Sequence, residues 1–575
     1  MRSLRLGLCR RIGATCDHYV SLRAVIIAYM EFICGRLPIC PTLVWLIFGA
    51  FAAAGQTPVI LISIDTLRAD RLGPKTPNIN SFGQHGTVFT QADCQIPFTF
   101  PSHASMLTSV YPFENQVEEN AVALPGGGVT LASVLKSHGY KTAAFIGTVF
   151  MEKEMGLDQG FDFYDSPFHY DAFSPMSGTM FLGATPGSPN AGKDRRDGAL
   201  VIRSARQWLA ENKTGPFFAF VHLFDMHKPY NDGYDGRLAY VDRLIGVFKA
   251  SLKQMGLWDK ALVILVSDHG ESLGDHGESS HGYFIYESTL HVPLIMHWPA
   301  GAEGHAARVT DPVGLIDVAP TVLDFLHLAA PASFEGSSLL GSHGAVYGES
   351  LHAHDAFGWA ALRSMRVGPF KYIDAPRPEL YNLQTDPHEL VNLYVKGSAK
   401  AAELRGQLGK LLARYAAKKN GPAPEASPGA RALLDSLGYL SSGPKAPGSG
   451  MDPKDGLPEF RMYEDAQLQL YHRQIPQAIA TLRAVLLRDP KNTLARRDLA
   501  SSYVETGEYA KARDAFGQVL AVAPDDYMTN YEIGFAEERL GLLKEARGHL
   551  ETACRVAPES KQARKELDVV LGKLN

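Results

Sequence analysis

The C-terminal part of this 575-residue chain repeats itself at a spacing of 34 residues, and this period constrains the fold more than any other feature. A helix–turn–helix unit of this length, with small residues where helices cross and proline at its end, predicts an all-α solenoid. We place the repeats at residues 459–575, with 561–575 as a capping helix. The columns in register are Ala478, Ala512 and Ala546; Leu482, Phe516 and Leu550; Ala466, Ala500 and Gly534; Pro490, Pro524 and Pro558; and Gly507 and Gly541.

Upstream of the repeats, strand-like and helix-like segments alternate. Residues 59–64 are apolar apart from Ser63 and end at Asp65, as expected for a strand buried on both faces of a parallel sheet. This alternation predicts a doubly wound α/β sheet, whose ligands bind beyond the carboxyl ends of the strands. Asp65, Asp225 and Asp268 each follow such an end. The other predicted strands are 141–146, 216–224 and 261–266, and the main helices are 130–138, 198–212 and 237–255.

The first 55 residues differ in composition from the rest of the chain. A basic stretch precedes an apolar run at 43–54, which is too short for a helix across a bilayer of about 30 Å and ends in small residues. We interpret residues 1–55 as a signal peptide or a signal anchor. The protein is therefore expected to be exported, either to the periplasm or facing the outside of a membrane to which an uncleaved anchor holds it.

A second segment of distinct composition separates the α/β part from the repeats. Residues 420–458 are dense in Pro, Gly and Ser, which predicts a linker and places the catalytic domain at 58–416. Because stacked repeats bury their apolar faces on each other, the repeats are expected to fold without the α/β domain.

The overall charge excludes one class of partner. With 56 Lys and Arg against 61 Asp and Glu, the chain has a net charge of −5 and no basic field to hold a nucleic-acid backbone. Contact with a membrane is expected only if residues 1–55 stay uncleaved. Beyond that segment only Cys94 and Cys554 occur, in different domains, so no disulfide framework is expected.

Several polar side chains of the α/β part suit catalysis. Asp65 and Asp268 follow strands, and His269 comes next in the sequence SDHGE. Thr99, in TFPSH, comes just before a predicted helix start at Pro101, where backbone N–H groups and the helix dipole favour an anion such as phosphate or sulfate. Two Asp oxygens, one His nitrogen and the Thr oxygen suit a metal ion. Further histidines nearby are His222, His227, His276 and His281.

An ordered set of motifs resembles the sulfatase-like branch of the alkaline phosphatase superfamily. The resemblance covers residues 58–416 and implies a sheet sandwiched by helices, a bound divalent metal and a smaller C-terminal α+β subdomain with an antiparallel sheet near 359–373. The repeats are similar to tetratricopeptide repeats, which implies a protein or peptide partner. The motifs are SIDTLRAD, TPNIN, PSHASMLTSVYP, HLFDMHKPY, SDHGESLGDHGE, HGYFIYE, DVAPTVLD and ELYNLQTDPHELVNL.

The chain departs from this family at the positions that decide its chemistry. Sulfatases have a Cys-x-Pro-x-Arg motif whose cysteine becomes formylglycine, but here the two positions hold Thr99 and His103. The threonine resembles that of nucleotide pyrophosphatase/phosphodiesterases and of phosphoethanolamine and glycerol-phosphate transferases. His269 stands where sulfatases usually have Asn, which favours Zn²⁺ or Mn²⁺ over Ca²⁺ or Mg²⁺. Thr66 replaces a second Asp, and His281 lies where a sulfate-binding Lys is typical.

The leading hypothesis is a metal-dependent hydrolase or transferase of phosphate esters, in particular diesters or phosphonates. One ion is expected, held by Asp65, Thr99, Asp268 and His269, and Thr99 is the expected nucleophile. The alternatives are a sulfuric ester hydrolase and a catalytically silent scaffold whose repeats bind a protein partner.

Other residues are assigned to the substrate or left open. We expect His227 and His281 to donate to ester oxygens or to protonate the leaving group, with Lys228 as a further substrate-binding residue. His222 suits a structural histidine as well as a ligand, and Arg68 suits a brace on Asp65 as well as a surface ion pair. A second ion would use Asp225, His227 and either His276 or His281.

Overall fold

The structure is a computed structural model, and most of the two atypical segments falls outside the residues that it describes. The predicted targeting segment lies outside them, as does most of the predicted linker. Within the described residues no helix is both long and apolar enough to cross a membrane. The described residues are 57–120, 122–168, 195–228, 230, 232–302, 305, 307–341, 344–416, 449–558 and 560–575.

A mixed sheet forms the centre of the α/β domain, and nine of its strands lie in the described ranges. Its strand order is β4-β3-β5-β1-β6-β7-β2-β8, with β9 also beside β2. The strands from β4 to β6 along this order run parallel, and β7 is antiparallel to both neighbours. The strands are β1 (Val59–Ile64), β2 (Gly86–Asp93), β3 (Lys141–Phe145), β4 (Phe163–Asp165), β5 (Phe217–Leu223), β6 (Leu262–Val266), β7 (His291–His297), β8 (Arg308–Val309) and β9 (Val313–Gly314).

Helices cover both faces of this sheet, as the alternating sequence predicts. Alternate residues of β1 enter different cores: Ile60 and Ile62 pack in one cluster, and Val59 and Leu61 pack in the other. The uninterrupted apolar run is explained because both faces need apolar side chains. The helices are α1 (Pro77–Asn80), α2 (Thr99–Thr108), α3 (Pro112–Asn115), α4 (Leu131–Ser137), α5 (Gly198–Asn212), α6 (Gly233–Gln254), α7 (Glu287–Leu290) and α8 (Val318–Phe325).

A smaller subdomain follows, and it confirms the antiparallel sheet predicted near 359–373. Four strands pair in the order β10-β11-β12-β13, all antiparallel. Apolar residues of α10 pack against one face of this sheet, where Leu404 meets Tyr347 and Tyr372 in one core. The elements are β10 (Ala345–Ser350), α9 (His352–Phe357), β11 (Leu362–Val367), β12 (Phe370–Asp374), β13 (Glu379–Asn382) and α10 (Ala399–Ala416).

The C-terminal region is a stack of helix pairs, as the 34-residue period predicts. The small and bulky columns of the repeat are the helix contacts: Ala478, Leu482, Ala512 and Phe516 are all fully buried. The helices are α11 (Pro453–Tyr471), α12 (Ile475–Arg488), α13 (Thr493–Glu505), α14 (Tyr509–Leu520), α15 (Tyr527–Arg539), α16 (Leu543–Val556) and α17 (Lys561–Leu574).

The first repeat helix also packs on the α/β domain, which differs from the expectation that the repeats pack only on each other. Helix α11 begins inside the segment assigned to the linker, and Phe460 lies in the same core cluster as Tyr283 and Trp359 of the catalytic domain. Gly456 lies so close to Trp359 that an added Cβ would sit 2.2 Å from the indole ring. Phe460 and Gly456, which belong to none of the repeat columns, therefore form an interface with the catalytic domain.

Two ion pairs frame this interface. Asp455 pairs with Arg377 at 2.8 Å, and Lys454 pairs with Glu379 at 2.6 Å. Upstream of the helix, the Met451 carbonyl accepts a hydrogen bond from the Ala360 amide at 2.9 Å. The chain is thus joined to the catalytic domain before the repeats begin.

Candidate active site

Two aspartates meet at the carboxyl edge of the central sheet. Asp65 directly follows β1, and Asp268 comes just after β6; these strands are parallel neighbours, so their ends lie side by side. The Thr66 amide donates to Oδ1 of Asp268 at 3.2 Å, which ties the two strand ends together. Both aspartates are fully buried.

His269 completes this group with a nitrogen lone pair. Its Nδ1 lies 2.9 Å from the Gly270 carbonyl, which can only accept a hydrogen bond, so Nδ1 carries the proton and Nε2 is free to bind a cation. One ligand atom each from Asp65, Asp268 and His269 lie within 4.8 Å of one another. The structure places these three residues together, at the strand ends where the sequence predicts them.

The donor atoms fit a divalent metal ion. Both carboxylate oxygens of Asp65 and Oδ2 of Asp268 are buried and accept no hydrogen bond from the described residues. Burial raises the pKa of Asp65 to about 6, although His269 lowers it in part, and burial and the neighbouring Asp65 charge raise the pKa of Asp268. Buried carboxylate oxygens that lack hydrogen-bond donors are stabilised by a cation between them.

Thr99 lies beside this group at the start of α2. Its Oγ1 is 3.4 Å from Nε2 of His269, and the residue is almost completely buried. The helix begins at Thr99 itself rather than at Pro101, since any position of a first helical turn tolerates proline's missing N–H. The Phe100 amide donates to Oδ1 of Asn120 at 2.9 Å, so this first-turn N–H is already paired.

Two more histidines lie behind the aspartates. Nδ1 of His103 donates to the Thr99 carbonyl at 2.6 Å, and its Nε2 then accepts from the Ser63 hydroxyl at 2.8 Å. His222 has no hydrogen-bond partner among the described residues, and its Nε2 is 3.5 Å from Oδ2 of Asp65. Burial lowers the pKa of both histidines to about 4, so both are neutral. With Asp268 they form a second grouping of ligand atoms within 4.8 Å.

His281 faces the site from the opposite side, paired with a buried carboxylate. Its ring centroid is 4.4 Å from that of His269, and its Nδ1 is 3.5 Å from Oε1 of Glu271. Burial would raise the pKa of Glu271, but the charges of Lys228 and His281 outweigh it and lower the pKa to about 2. Glu271 therefore gives the His281 ring a negatively charged neighbour within 3.5 Å that can hold its orientation.

His227 offers an acceptor rather than a donor at Nε2 in its neutral form. Its Nδ1 donates to the Lys228 carbonyl at 2.8 Å, and burial and the His281 charge lower its pKa well below the usual value. A neutral imidazole with its proton on Nδ1 has only a lone pair to offer at Nε2. This form of His227 can accept a hydrogen bond from a substrate or water, and its role as a donor stays a prediction. The ammonium of Lys228 contacts the Ser279 carbonyl.

Two other sequence candidates lie apart from this group. Oδ1 of Asp225 accepts from the Gly198 amide at 3.1 Å, at the start of α5. His276 stacks on Tyr286, and its Nε2 lies 3.0 Å from the His388 carbonyl. Neither joins a possible metal grouping of the described residues, so the second ion, with Asp225, His227 and either His276 or His281 as its ligands, stays a prediction.

Arg68 also serves another purpose than a brace on Asp65. Its guanidinium pairs with Asp70 and Asp275, both at 2.8 Å, and donates to the carbonyls of Glu271 and Ser272 at 3.0 Å. Arg68 therefore holds the loop that follows the SDHGE motif.

Sequence reasoning did not assign a role to Glu271 or to His103. Glu271 lies inside the SDHGE motif, and its spacing of two residues from His269 was the only available signal. His103 was seen as the replacement of an arginine, but its bonds to Thr99 and Ser63 depend on how α2 lies against β1.

Family models match three parts of the chain. A model described as Sulfatase matches residues 57–328, and one described as N-sulphoglucosamine sulphohydrolase, C-terminal, matches residues 274–418. A model described as Tetratricopeptide repeat matches residues 470–531. The first two models match the α/β part of the chain, and the third matches the stack of helices that follows it.

Known proteins agree with these models. The chain is 24% identical to arylsulfatase K of Bos taurus over 440 residues, which is 60% of this chain and 80% of that protein. It is 30% identical to an arylsulfatase of Clostridium perfringens over 168 residues, 28% of this chain and 35% of that protein. The phosphonate monoester hydrolase of Agrobacterium radiobacter has a similar fold, with a TM-score of 0.50 and 22% identity over 63% of this chain and 96% of that one. Residues 57–418 of this chain are therefore a sulfatase-like domain, and tetratricopeptide repeats follow them.

Proposed function

We propose that this sulfatase-like hydrolase acts on phosphate esters, in particular diesters or phosphonates, with Thr99 as its nucleophile. The observation that carries the proposal is the position of the Thr99 hydroxyl, 3.4 Å from Nε2 of His269 at the edge of the buried carboxylate group. A threonine cannot become the formylglycine on which sulfatases of the Cys-x-Pro-x-Arg type depend. A hydroxyl can instead attack phosphorus directly and form a phosphate ester of its own.

The residues at the strand ends are proposed to hold one divalent ion. Asp65, Asp268 and His269 would bind it, with the Thr99 oxygen as a fourth ligand. One nitrogen among oxygens favours Zn²⁺ or Mn²⁺ over Ca²⁺ or Mg²⁺. When bound, the ion supplies positive charge that favours ionisation of the Thr99 hydroxyl and neutralises the ester oxygens.

The side chains then account for two steps. In the first, Oγ1 of Thr99 gives its proton to solvent and forms a bond to phosphorus, the bond from phosphorus to the leaving oxygen breaks, and His281 gives that oxygen a proton. In the second, water attacks the phosphothreonine and gives a proton to His281, the bond from phosphorus to Oγ1 breaks, and Oγ1 regains a proton from solvent as the phosphate or phosphonate product leaves. Glu271 keeps His281 oriented throughout, while Lys228 and His227 are proposed to bind the substrate.

Hydrolysis of sulfate esters is the second candidate function. It is favoured by the relatives, several of which are named arylsulfatases. In that case the same Thr99 hydroxyl would attack sulfur. A catalytically silent scaffold is disfavoured because the nucleophile, the metal-binding residues and the acid are all present in one buried group.

One experiment separates these activities. The full chain, reconstituted with Zn²⁺ or Mn²⁺, is tested on aryl phosphodiester, phosphomonoester, phosphonate and sulfate esters of the same phenol. We expect turnover of the phosphorus esters to exceed that of the sulfate ester, and mass spectrometry of acid-quenched enzyme to find phosphate on Thr99. Faster turnover of the sulfate ester would overturn the proposal in favour of the second candidate.

The location of the protein and the partner of its repeats are further parts of the proposal. The composition of residues 1–55 supports export, and tetratricopeptide repeats generally bind proteins, which supports a protein or peptide partner. Protease protection of the chain in intact and osmotically shocked cells would test the first proposal.

A further inference from the structure

His281 is carried by a loop of defined shape, residues 272–286, which we call the histidine loop. The buried carboxylate of Glu278 accepts hydrogen bonds from the Ser272 hydroxyl at 3.0 Å and from the amides of Tyr283 and Phe284 at 2.7 and 3.3 Å. These bonds fold the loop back on itself. The position of His281 is thus set by how the loop is held as a unit.

The outer side of the histidine loop is held by the first repeat helix, α11. The ring of Tyr283 stacks on Phe460 with centroids 4.2 Å apart, and its hydroxyl donates to the Pro453 carbonyl at 2.6 Å. Tyr283 and Phe460 are both almost completely buried, so this contact excludes water. Nearer the surface, Nε of Arg461 donates to the Gly277 carbonyl at 2.6 Å. The helix therefore contacts both arms of the loop.

The inner side of the same loop touches the nucleophile segment. Gly282, between His281 and Tyr283, has a φ of +94° and lies against Phe98, and an added Cβ there would be 2.4 Å from the phenyl ring. Phe98 comes directly before Thr99. The contacts run without a gap from the repeat helix through Tyr283 and Gly282 to the two residues that are proposed to do the chemistry.

We propose that helix α11 is a structural part of the active site, in which Phe460 and Tyr283 are positioning residues that hold His281 at the leaving group and Gly282 against Phe98. The inference rests on the proposed function in one respect, since it takes His281 as the acid. Loosening the helix is expected to displace the acid while leaving the metal-binding strand ends unchanged.

The first test uses paired glycine variants in the full chain. Gly456→Ala would place a methyl group against Trp359 and push α11 away from the catalytic domain, whereas Gly517→Ala in α14 adds the same methyl group into open space. We expect Gly456→Ala to lower kcat about tenfold on an alkyl phosphate ester, which needs a proton on its leaving group. On a nitrophenyl ester, whose leaving group needs no proton, the loss is expected to be less than about threefold. Gly517→Ala is expected to match the wild type on both.

The second test removes one hydroxyl group from the contact. Tyr283→Phe deletes the hydroxyl that donates to the Pro453 carbonyl. Tyr463→Phe is the control, because it deletes a buried hydroxyl of α11 that donates to Asp498, outside the histidine loop. We expect the same selective loss on the alkyl ester for Tyr283→Phe alone. An equal loss on both esters, or no loss in either Gly456→Ala or Tyr283→Phe, would overturn the proposal.

A measurement independent of activity separates this inference from the proposed function. Hydrogen exchange is followed in peptides of the histidine loop and of β6, with metal content measured in parallel. We expect Gly456→Ala and Tyr283→Phe to speed exchange at 277–286, with no change in β6 or in bound metal. If the wild type cleaved no phosphate ester and this change still occurred, the proposed function would fail and the positioning role would stand; unchanged exchange would overturn the positioning role itself.

Discussion

Thr99 is both a proposed metal ligand and the proposed nucleophile. Its hydroxyl contacts His269, while its carbonyl accepts from His103, so the residue is fixed at both ends. Thr99→Ala should lower turnover by at least about 1,000-fold, because the nucleophile is lost, yet keep the metal through the remaining ligands. Steady-state kinetics with elemental analysis of the same sample checks this. Activity within tenfold of the wild type would show that another group attacks.

His269 makes a separate prediction about the metal. His269→Ala removes the nitrogen ligand and should weaken Zn²⁺ or Mn²⁺ binding by at least about 100-fold, measured by equilibrium dialysis. His297→Gln is a matched control, because His297 is also buried but pairs with Val263 near the start of β6 and hydrogen-bonds to the Trp258 carbonyl, away from the end of β6 that Asp268 follows. Equal metal content in both variants would place the site elsewhere.

Among single residues, the sequence predicts the positions of those that directly follow a strand. Asp65 and Asp268 follow apolar runs whose length marks two strands, so their meeting at one edge can be predicted without knowing side-chain positions. Glu271 lies in a loop, and its partner His281 is ten residues away along a path that no period describes. The tautomer of His227 is likewise beyond sequence reasoning, since a local bond to the Lys228 carbonyl fixes it.

At the scale of helices and strands, the repeat column of Ala466, Ala500 and Gly534 shows how closely the repeat helices pack. Gly534 of α15 takes the place that Ala500 has in α13, and a Cβ there would be 2.7 Å from Leu550. Gly548 of α16 has no atom within 4 Å of an added Cβ.

The two glycines should respond to alanine with opposite signs. Gly548→Ala should stabilise the repeats by about 0.5–1 kcal/mol through helix propensity. Gly534→Ala should destabilise them by about 1 kcal/mol, because overpacking against Leu550 outweighs the same gain. Denaturant unfolding followed by circular dichroism measures both. A gain in stability for Gly534→Ala would show that α16 can move aside.

The boundary of a helix could be predicted where a residue there fits only one position, such as a helix cap. Helix α5, Gly198–Asn212, lies where the sequence places it, because Asp197 caps its first turn by accepting from the Ala199 amide. Helix α6 begins at Gly233, earlier than the predicted residue 237, since no residue of this polar stretch forces a start. Helix α2 begins early because proline tolerates several positions of a first turn.

For the whole molecule, buried acids of the repeats predict how stability depends on pH. Burial raises the pKa of Glu532 to about 7 and that of Asp498 to about 6, despite hydrogen bonds from Ser501 and Tyr463 that lower them. A raised pKa means that the folded state favours the protonated acid. Its stabilising effect is complete below the unfolded pKa of about 4 and is lost as pH rises through 6 and 7.

The repeats should therefore melt at a lower temperature at pH 8 than at pH 5. Glu532→Gln removes one of the two charges and should make the melting temperature less dependent on pH. Glu508→Gln is the control, because the exposed Glu508 pairs with Lys511 on the surface. A steeper dependence in Glu532→Gln than in the wild type would contradict the assignment.

The relation between the two parts of the molecule is what the sequence predicted least well. Phe460 lies in the segment assigned to the repeats, and nothing in the 34-residue period shows that it packs on Tyr283 of the catalytic domain. Trp359, which closes the interface beside Gly456, lies outside every motif of the α/β part. Contacts between distant surfaces depend on the final shape of both.

The hydrogen bond from Tyr283 to Pro453 joins residues 170 positions apart in the chain. During synthesis the strands that carry Asp65 and Asp268 emerge from the ribosome long before Pro453 and Phe460 do. The sheet can form while translation continues, but the loop that carries His281 finds its partners only when the first repeat helix has been made. The proposed positioning of His281 thus depends on a segment that is translated 170 residues after the loop it holds, so full reactivity is expected only once the first repeat helix has been made.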